Sequence, residues 1–234
     1  MLQFVIFDLD DTLLDFQADE AASLTTILTR YQVPDLAVAK RTYQAHNQRV
    51  WQKIERGADR TNLLNQRFQL VLGQLGIAVD GPAVQREYDH LLGQGFQTLP
   101  GAAALLTHLR QAGLTLLVGT NGVHDTQLSR LQGAGLAPDF DHVFISETVG
   151  YAKPDRRFFD AIFHAYPTLT TANTVMVGDS IRSDVIGAHN AGLPAIWFNP
   201  HQVQDTSGVL PDATATNFDE LGRQLLAWPN RQAH

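Results

Sequence analysis

The apolar run Phe4-Val5-Ile6-Phe7 ends abruptly in Asp8-Leu9-Asp10-Asp11, and no other stretch restricts the fold as much. Four consecutive apolar residues read as a strand buried on both faces. Charge at its end is costly unless it is paired or used. In an extended chain residues two apart point the same way, so Asp8 and Asp10 share a side and Asp11 faces the other. Two convergent carboxylates raise each other's pKa or take a cation between them, the chemistry of a nucleophile with a proton shuttle or of a metal seat. A solvated acidic turn at a strand end is the alternative that these residues alone leave open. A calcium loop beginning at Asp8 fails, because Leu13 stands where glycine is needed and Asp19 where a bidentate glutamate is needed.

After Asp15 the pattern turns helical. Residues 17–31, 35–56, 61–76 and 80–94 carry apolar side chains three or four apart, as in Leu24, Ile27, Leu28, Tyr31 and in Leu63, Leu64, Phe68, Val71, Leu75. Breaks are expected at Val33-Pro34, Gly57, Gly76 and Gly81-Pro82, with Thr61 as an N-cap. From Leu99-Pro100-Gly101 onward helices and strands alternate: helix 102–112, strand 114–118, helix 124–133, strand 142–146, helix 155–164, strand 174–177, helix 183–190 and strand 194–198. Such alternation predicts an α/β fold, a doubly wound parallel sheet to which the first strand also belongs. The four helices are then an insertion, with residues 1–15 and 97–234 forming the core and residues 16–96 a helical cap.

Parallel sheets bind ligands at the carboxyl ends of their strands. The residues there are Asp8 and Asp10, then Thr120 and Asn121, then Gly178-Asp179-Ser180 with Asp184 close behind. Asp179 or Ser183 is expected to cap the following helix. Four aspartates at one edge need compensating charge, and a hard divalent cation such as Mg²⁺, with Lys153 beside it, suits oxygen donors.

Composition excludes several other chemistries. The absence of cysteine rules out disulfides, thiol catalysis and zinc-thiolate sites and suits a reducing cytoplasm. With 17 basic and 24 acidic residues the net charge is −7, which disfavours a nucleic-acid duplex or an anionic membrane as partner. No apolar run approaches the about 18 residues of a membrane span, so a cytoplasmic location is expected. The nine histidines fall at no metal-ligand spacing.

FDLDDTLL, the strand ending in Thr120-Asn121, Ala152-Lys153-Pro154 and GDSIRSD resemble, in order and spacing, the four motifs of the haloacid dehalogenase superfamily. The inserted helices resemble its C1-type cap. The resemblance implies that Asp8 is a nucleophile forming an aspartyl-phosphate and Asp10 a general acid and base. It further implies that Thr120 and Asn121 hold phosphoryl oxygens and that Lys153 offsets charge. Mg²⁺ would be seated by the Asp8 carboxylate, the Asp10 carbonyl and Asp179, with Asp184 holding a metal-bound water or orienting Lys153. The dehalogenases of the superfamily lack an equivalent of Asp10 and use no metal, so dehalogenation is disfavoured. YQAHNQRVWQKIERG, RFQLVLGQLGI and VFISETVGYAKPDRRFFDAIF further resemble the bacterial noncanonical pyrimidine nucleotidases. A small phosphorylated metabolite, a pyrimidine nucleoside 5′-monophosphate, is then the expected substrate, with a phosphatase or phosphomutase of the same superfamily acting on sugar phosphates or phosphoglycolate as the alternative. A sensor that binds phosphorylated ligands without turning them over is a further alternative, disfavoured by four intact motifs. Asn47 and Trp51 lie one helical turn apart, where they suit a base, with Arg67 in reach and Phe16 near the hinge; cap packing is the competing role for Trp51 and Phe16, and solvent exposure for Asn47. The oligomeric state is left open, a monomer being compatible.

Overall fold

The computed structural model describes residues 1–228. Its sheet has six parallel strands in the order β3-β2-β1-β4-β5-β6: β1 (Phe4–Phe7), β2 (Thr115–Thr120), β3 (His142–Ile145), β4 (Thr174–Gly178), β5 (Ala195–Phe198) and β6 (Ala213–Ala215). The chain winds outward from β1 through β2 to β3, then crosses to the other side of β1 to lay down β4. The crevice of a doubly wound sheet opens at that reversal, between β1 and β4. Asp8 and Asp179 directly follow these two strands.

Period-two alternation along the strands divides the core between the two sheet faces. Val5, Phe7, Leu116, Val118, Val175 and Val177 point to one face. There they meet α5 (Ala102–Gln111), α6 (His124–Gly133) and α10 (Phe218–Leu226) through residues such as Leu106, Leu131 and Leu221. Phe4, Ile6, Leu117 and Met176 point to the other, against Phe158, Phe159 and Ile162 of α8 (Arg156–Ala165) and Ala188 of α9 (Ile186–Asn190). The short α7 (Ser146–Val149) follows β3 directly. Each such side chain, removed from water, contributes about 1.5–3 kcal/mol, and burial on both faces is why these strands read as continuous apolar runs.

Between β1 and α5 lie α1 (Phe16–Arg30), α2 (Leu36–Ile54), α3 (Arg60–Gln74) and α4 (Gly81–Leu92), with their own apolar centre around Leu28, Tyr43, Phe68 and Tyr88. The Phe68 ring lies 5.3 Å from Tyr43 and 5.2 Å from Tyr88. The two chain crossings to this unit pair with one another: Leu14 bridges Thr98, Leu99 N–H donates to Leu13 O at 2.9 Å, and Asp15 N–H donates to Gln97 O at 2.8 Å.

Several local expectations change. The cap of α3 is Asp59, not Thr61, and Gly81-Pro82 begins α4 rather than breaking the chain, because proline fits the first helical turn once Asp80 caps it. Strand β2 runs on through Gly119-Thr120, where pairing to β3 holds what reads locally as a turn. The expected helix 183–190 begins earlier, as a π-helical turn over Ile181–Val185 capped by Ser180, and continues as α9. Strand β6 and helix α10 were not expected; β6 is three residues long and leaves little alternation to read. Among the described residues no helix is long and apolar enough to cross a membrane.

Candidate active site

Lys153 and the residues it binds lie at the crevice. Its side chain is almost wholly buried, and Nζ donates to Asp8 Oδ1 at 2.8 Å, Asp184 Oδ1 at 2.6 Å and the Gly119 carbonyl at 2.5 Å. These acceptors come from the segments after β1 and β4 and from β2, so the ammonium ties together three strand ends. Burial opposes its charge, but Asp184 and Asp8 outweigh that cost and hold the lysine above its ordinary range. Asn121 fixes the same segment through its side chain: Nδ2 donates to Lys153 O and Oδ1 accepts from Lys153 N–H, both at 2.8 Å.

Asp184 is completely buried, and its second oxygen accepts from Ser180 N–H at 3.0 Å. It presses so closely on the end of β4 that a Cβ on Gly178 would collide with its carboxylate. Asp179 is positioned by its backbone, whose N–H donates to Thr12 Oγ1 at 3.0 Å and whose carbonyl accepts from Trp197 Nε1 at 2.6 Å.

Asp8, Asp179 and Asp184 place carboxylate oxygens within 4.8 Å of one another. Burial pushes the Asp8 carboxyl up to about 8; Lys153 opposes the shift, and Asp184 and Asp10 add to it. Burial also raises Asp179 well above the carboxylate range, with Asp184 and Asp8 adding to it. The Asp179 carboxylate receives no hydrogen bond among the described residues. Three hard oxygen donors, one of them without a protein partner, and one ammonium already shared by the other two make a donor set that fits Mg²⁺.

Asp10 has different company. Its Oδ1 pairs with Arg130 Nη1, and its Oδ2 accepts from Gln127 Nε2 at 2.9 Å. Arg130 is fully buried; Nη2 reaches Asp19 Oδ2 at 3.2 Å, Nε donates to Gly95 O at 3.0 Å, and the guanidinium lies 5.4 Å from the Phe16 ring centroid. One arginine thus joins Asp10 to the first turn of α1 and to the segment after α4. Gln127 Nε2 also donates to Thr120 Oγ1 at 2.9 Å. Sequence reasoning missed Gln127, Arg130, Thr12 and Trp197. The only available signal was the position of Gln127 and Arg130 one turn apart in the helix after Thr120-Asn121.

A cavity of about 710 Å³ joins Asp8, Asp10, Thr120, Asn121, Lys153 and Asp179 to a wall made by the four helices. Trp51 is half-buried on that wall, packed with Val50, Ile54 and Leu64, and Arg60 lies 5.5 Å over its ring. Phe16 lines the cavity while packing on the α1–α4 centre. Asn47 is bound on both sides of its amide: Nδ2 donates to Glu20 Oε1 at 3.2 Å, and Oδ1 accepts from Arg67 Nη1 at 2.6 Å. Arg67 borders the cavity, but its nitrogens are spent on Asn47 and on Gln85 Oε1, at 3.3 Å and 3.0 Å, so the structure gives it the part of holding Asn47. Burial raises the Glu20 carboxyl, with Arg67 opposing.

A family model described as haloacid dehalogenase-like hydrolase matches residues 2–192. Pyrimidine 5′-nucleotidase PynA of Streptococcus pneumoniae is 36% identical over 94% of this chain and 93% of its own. Pyrimidine 5′-nucleotidase YjjG of Escherichia coli is 32% identical over 95% of this chain and 97% of its own. The solved HAD-hydrolase YfnB of Bacillus subtilis, bound to magnesium and described as revealing interdomain movement, superposes with a TM-score of 0.88 at 34% identity, covering 96% of this chain and 98% of that one.

Proposed function

The chain belongs to the haloacid dehalogenase-like hydrolase family, and on that premise we propose that it is a Mg²⁺-dependent phosphomonoesterase whose substrates are nucleoside 5′-monophosphates, pyrimidine ones foremost. The observation that carries this reading is one continuous cavity with the Asp8–Lys153 pair and Thr120-Asn121 at one part and Trp51 and Asn47 at another. That arrangement supports a phosphoryl group at the strand ends and a base against the helices. In this reading residues 16–96 act as the cap and residues 1–15 and 97–234 as the catalytic core.

Asp8 Oδ1 is tethered to Lys153, so the other oxygen attacks phosphorus as the ester P–O bond breaks, giving an aspartyl-phosphate. Asp10 gives a proton to the departing nucleoside oxygen, then takes one from the water that attacks phosphorus, and Asp8 and inorganic phosphate are released. Thr120 Oγ1 and the Asn121 N–H hold phosphoryl oxygens, and Lys153 offsets the charge gathered there. Asp8, the Asp10 carbonyl and Asp179 would hold Mg²⁺, with Asp184 keeping Lys153 in place or holding a metal-bound water. When bound, Mg²⁺ supplies positive charge to the phosphoryl group and keeps the carboxylates ionised.

The test is phosphate release from a panel of nucleoside monophosphates, sugar phosphates and phosphoglycolate, with Mg²⁺ or EDTA and with Asp8→Asn as blank. Release strongest on pyrimidine monophosphates, lost in EDTA and in Asp8→Asn, is expected. Release from sugar phosphates or phosphoglycolate alone overturns the nucleotidase part, and release unaffected by Asp8→Asn overturns the mechanism.

A further inference from the structure

The cap side of the cavity carries a chain of hydrogen bonds whose direction is set by one residue. Arg67 can only donate, so both amides it touches must turn their oxygens toward it. Gln85 therefore spends Oε1 on Arg67 and gives Nε2 to Asp89 Oδ1 at 2.7 Å. Asn47 spends Oδ1 on Arg67 and turns Nδ2 to Glu20 Oε1, which also accepts from Tyr88 Oη at 3.2 Å. Two functions remain on these cavity-lining residues: the second hydrogen of Asn47 Nδ2, and Glu20 Oε2, which no described donor meets at hydrogen-bond geometry although the buried Tyr43 hydroxyl lies close to that carboxylate. They are a donor and an acceptor on one hydrogen-bonded pair, and Trp51, one helical turn beyond Asn47, lines the same cavity.

We propose that Glu20 is a specificity-determining residue that, with Asn47, reads the Watson–Crick edge of a pyrimidine base whose ring lies on Trp51; this rests on the nucleotidase reading. Cytosine offers its N4–H to Glu20 and its N3 to the Asn47 amide. Uracil offers the same pair from N3–H and an adjoining carbonyl. One donor–acceptor pair therefore serves both pyrimidines. An aromatic ring adds stacking that does not depend on base identity. Arg67 acts through Asn47, fixing which atoms face the base.

The probe is the 5′-monophosphate of the pyrimidin-2-one ribonucleoside, which keeps ring, N3, sugar and phosphate but lacks the exocyclic amine. Wild type should prefer CMP over it by about 10-fold or more in kcat/KM, because the analogue leaves Glu20 unpaired. Glu20→Gln has the same shape, but its Oε1 is claimed by Asn47 and Tyr88, so an amide donor replaces the acceptor; the CMP preference should fall to within about threefold. Glu20→Asp, which withdraws the oxygen by one methylene, should lower the same ratio and serves if the glutamine variant does not fold. A wild-type ratio near one, or a ratio unchanged in the variants, overturns the role of Glu20 while leaving the nucleotidase reading intact. Turnover of sugar phosphates with none of CMP or UMP overturns both.

Discussion

Among the described residues three buried cations each answer two acids. Lys153 binds Asp8 and Asp184 directly, Arg130 binds Asp10 and Asp19 directly, and Arg67 reaches Glu20 and Asp89 through the amides of Asn47 and Gln85. Desolvated charges are tolerable only in such company, and Asp179 lies beside the first group, feeling Lys153 at a distance but hydrogen-bonded through its carboxylate to no cation among the described residues. The close fit of Asp184 against β4 makes this arrangement sensitive to a single methyl group. Gly178→Ala would displace the Asp184 carboxylate, and Lys153 with it, by a sizeable fraction of an ångström. Misplacement on that scale costs about 10²-fold, so kcat should fall by about that factor with little change in KM, as steady-state kinetics on the best nucleotide would read. The residues after the strands were legible because a charge at the end of an apolar run stands out in one dimension. Arg130 was not, since it meets Asp10 across 120 residues of chain.

At the scale of elements, each helix of the inserted unit begins in the same way. Asp15, Asp35, Asp59 and Asp80 accept the backbone N–H of Ala18, Val38, Asn62 and Ala83 at 3.0, 2.9, 3.1 and 3.2 Å. The caps satisfy donors that the helix leaves open and place negative charge at the positive end of its dipole. Asp80→Ala and Asp59→Ala should each lower stability by about 1 kcal/mol, measured as a lower urea midpoint with an unchanged slope. All four caps directly precede the first residue of their helix and were open to reading. Thr61 drew the expectation instead because hydroxyl and carboxylate caps are locally equivalent, and only the packing of α3 decides where its first turn starts. Helix existence was readable from apolar spacing. The boundaries of α3, α4 and the Ile181–Val185 turn were set by contacts.

For the whole molecule, the question is what holds the four inserted helices to the rest besides the paired crossings at Leu14 and Thr98 and the bonds of Arg130 to Asp19 and Gly95. Arg60, at the start of α3, donates to Gly122 O at 2.7 Å and Ser146 Oγ at 2.5 Å, half-buried beside Trp51. Arg182 reaches Glu55 at 2.5 Å, but its side chain is 45% exposed. Hydrogen bonds from a charged donor contribute about 1.5–3 kcal/mol, whereas exposed ion pairs contribute about 0–1 kcal/mol. Arg60→Ala should therefore raise KM about 10-fold and enlarge the radius of gyration in solution scattering, while Arg182→Ala should change KM less than about threefold. The amino-acid sequence by itself determined the doubly wound sheet, the inserted helices and the acidic strand ends, because periodicity and charge placement are local and survive without coordinates. Only the tertiary structure decided which cation answers which acid, that Arg67 serves Asn47, and that Asn47 and Glu20 are bound to one another on the cavity wall. Those pairings join residues tens of positions apart, and their energies depend on distance and burial, which a linear pattern does not carry.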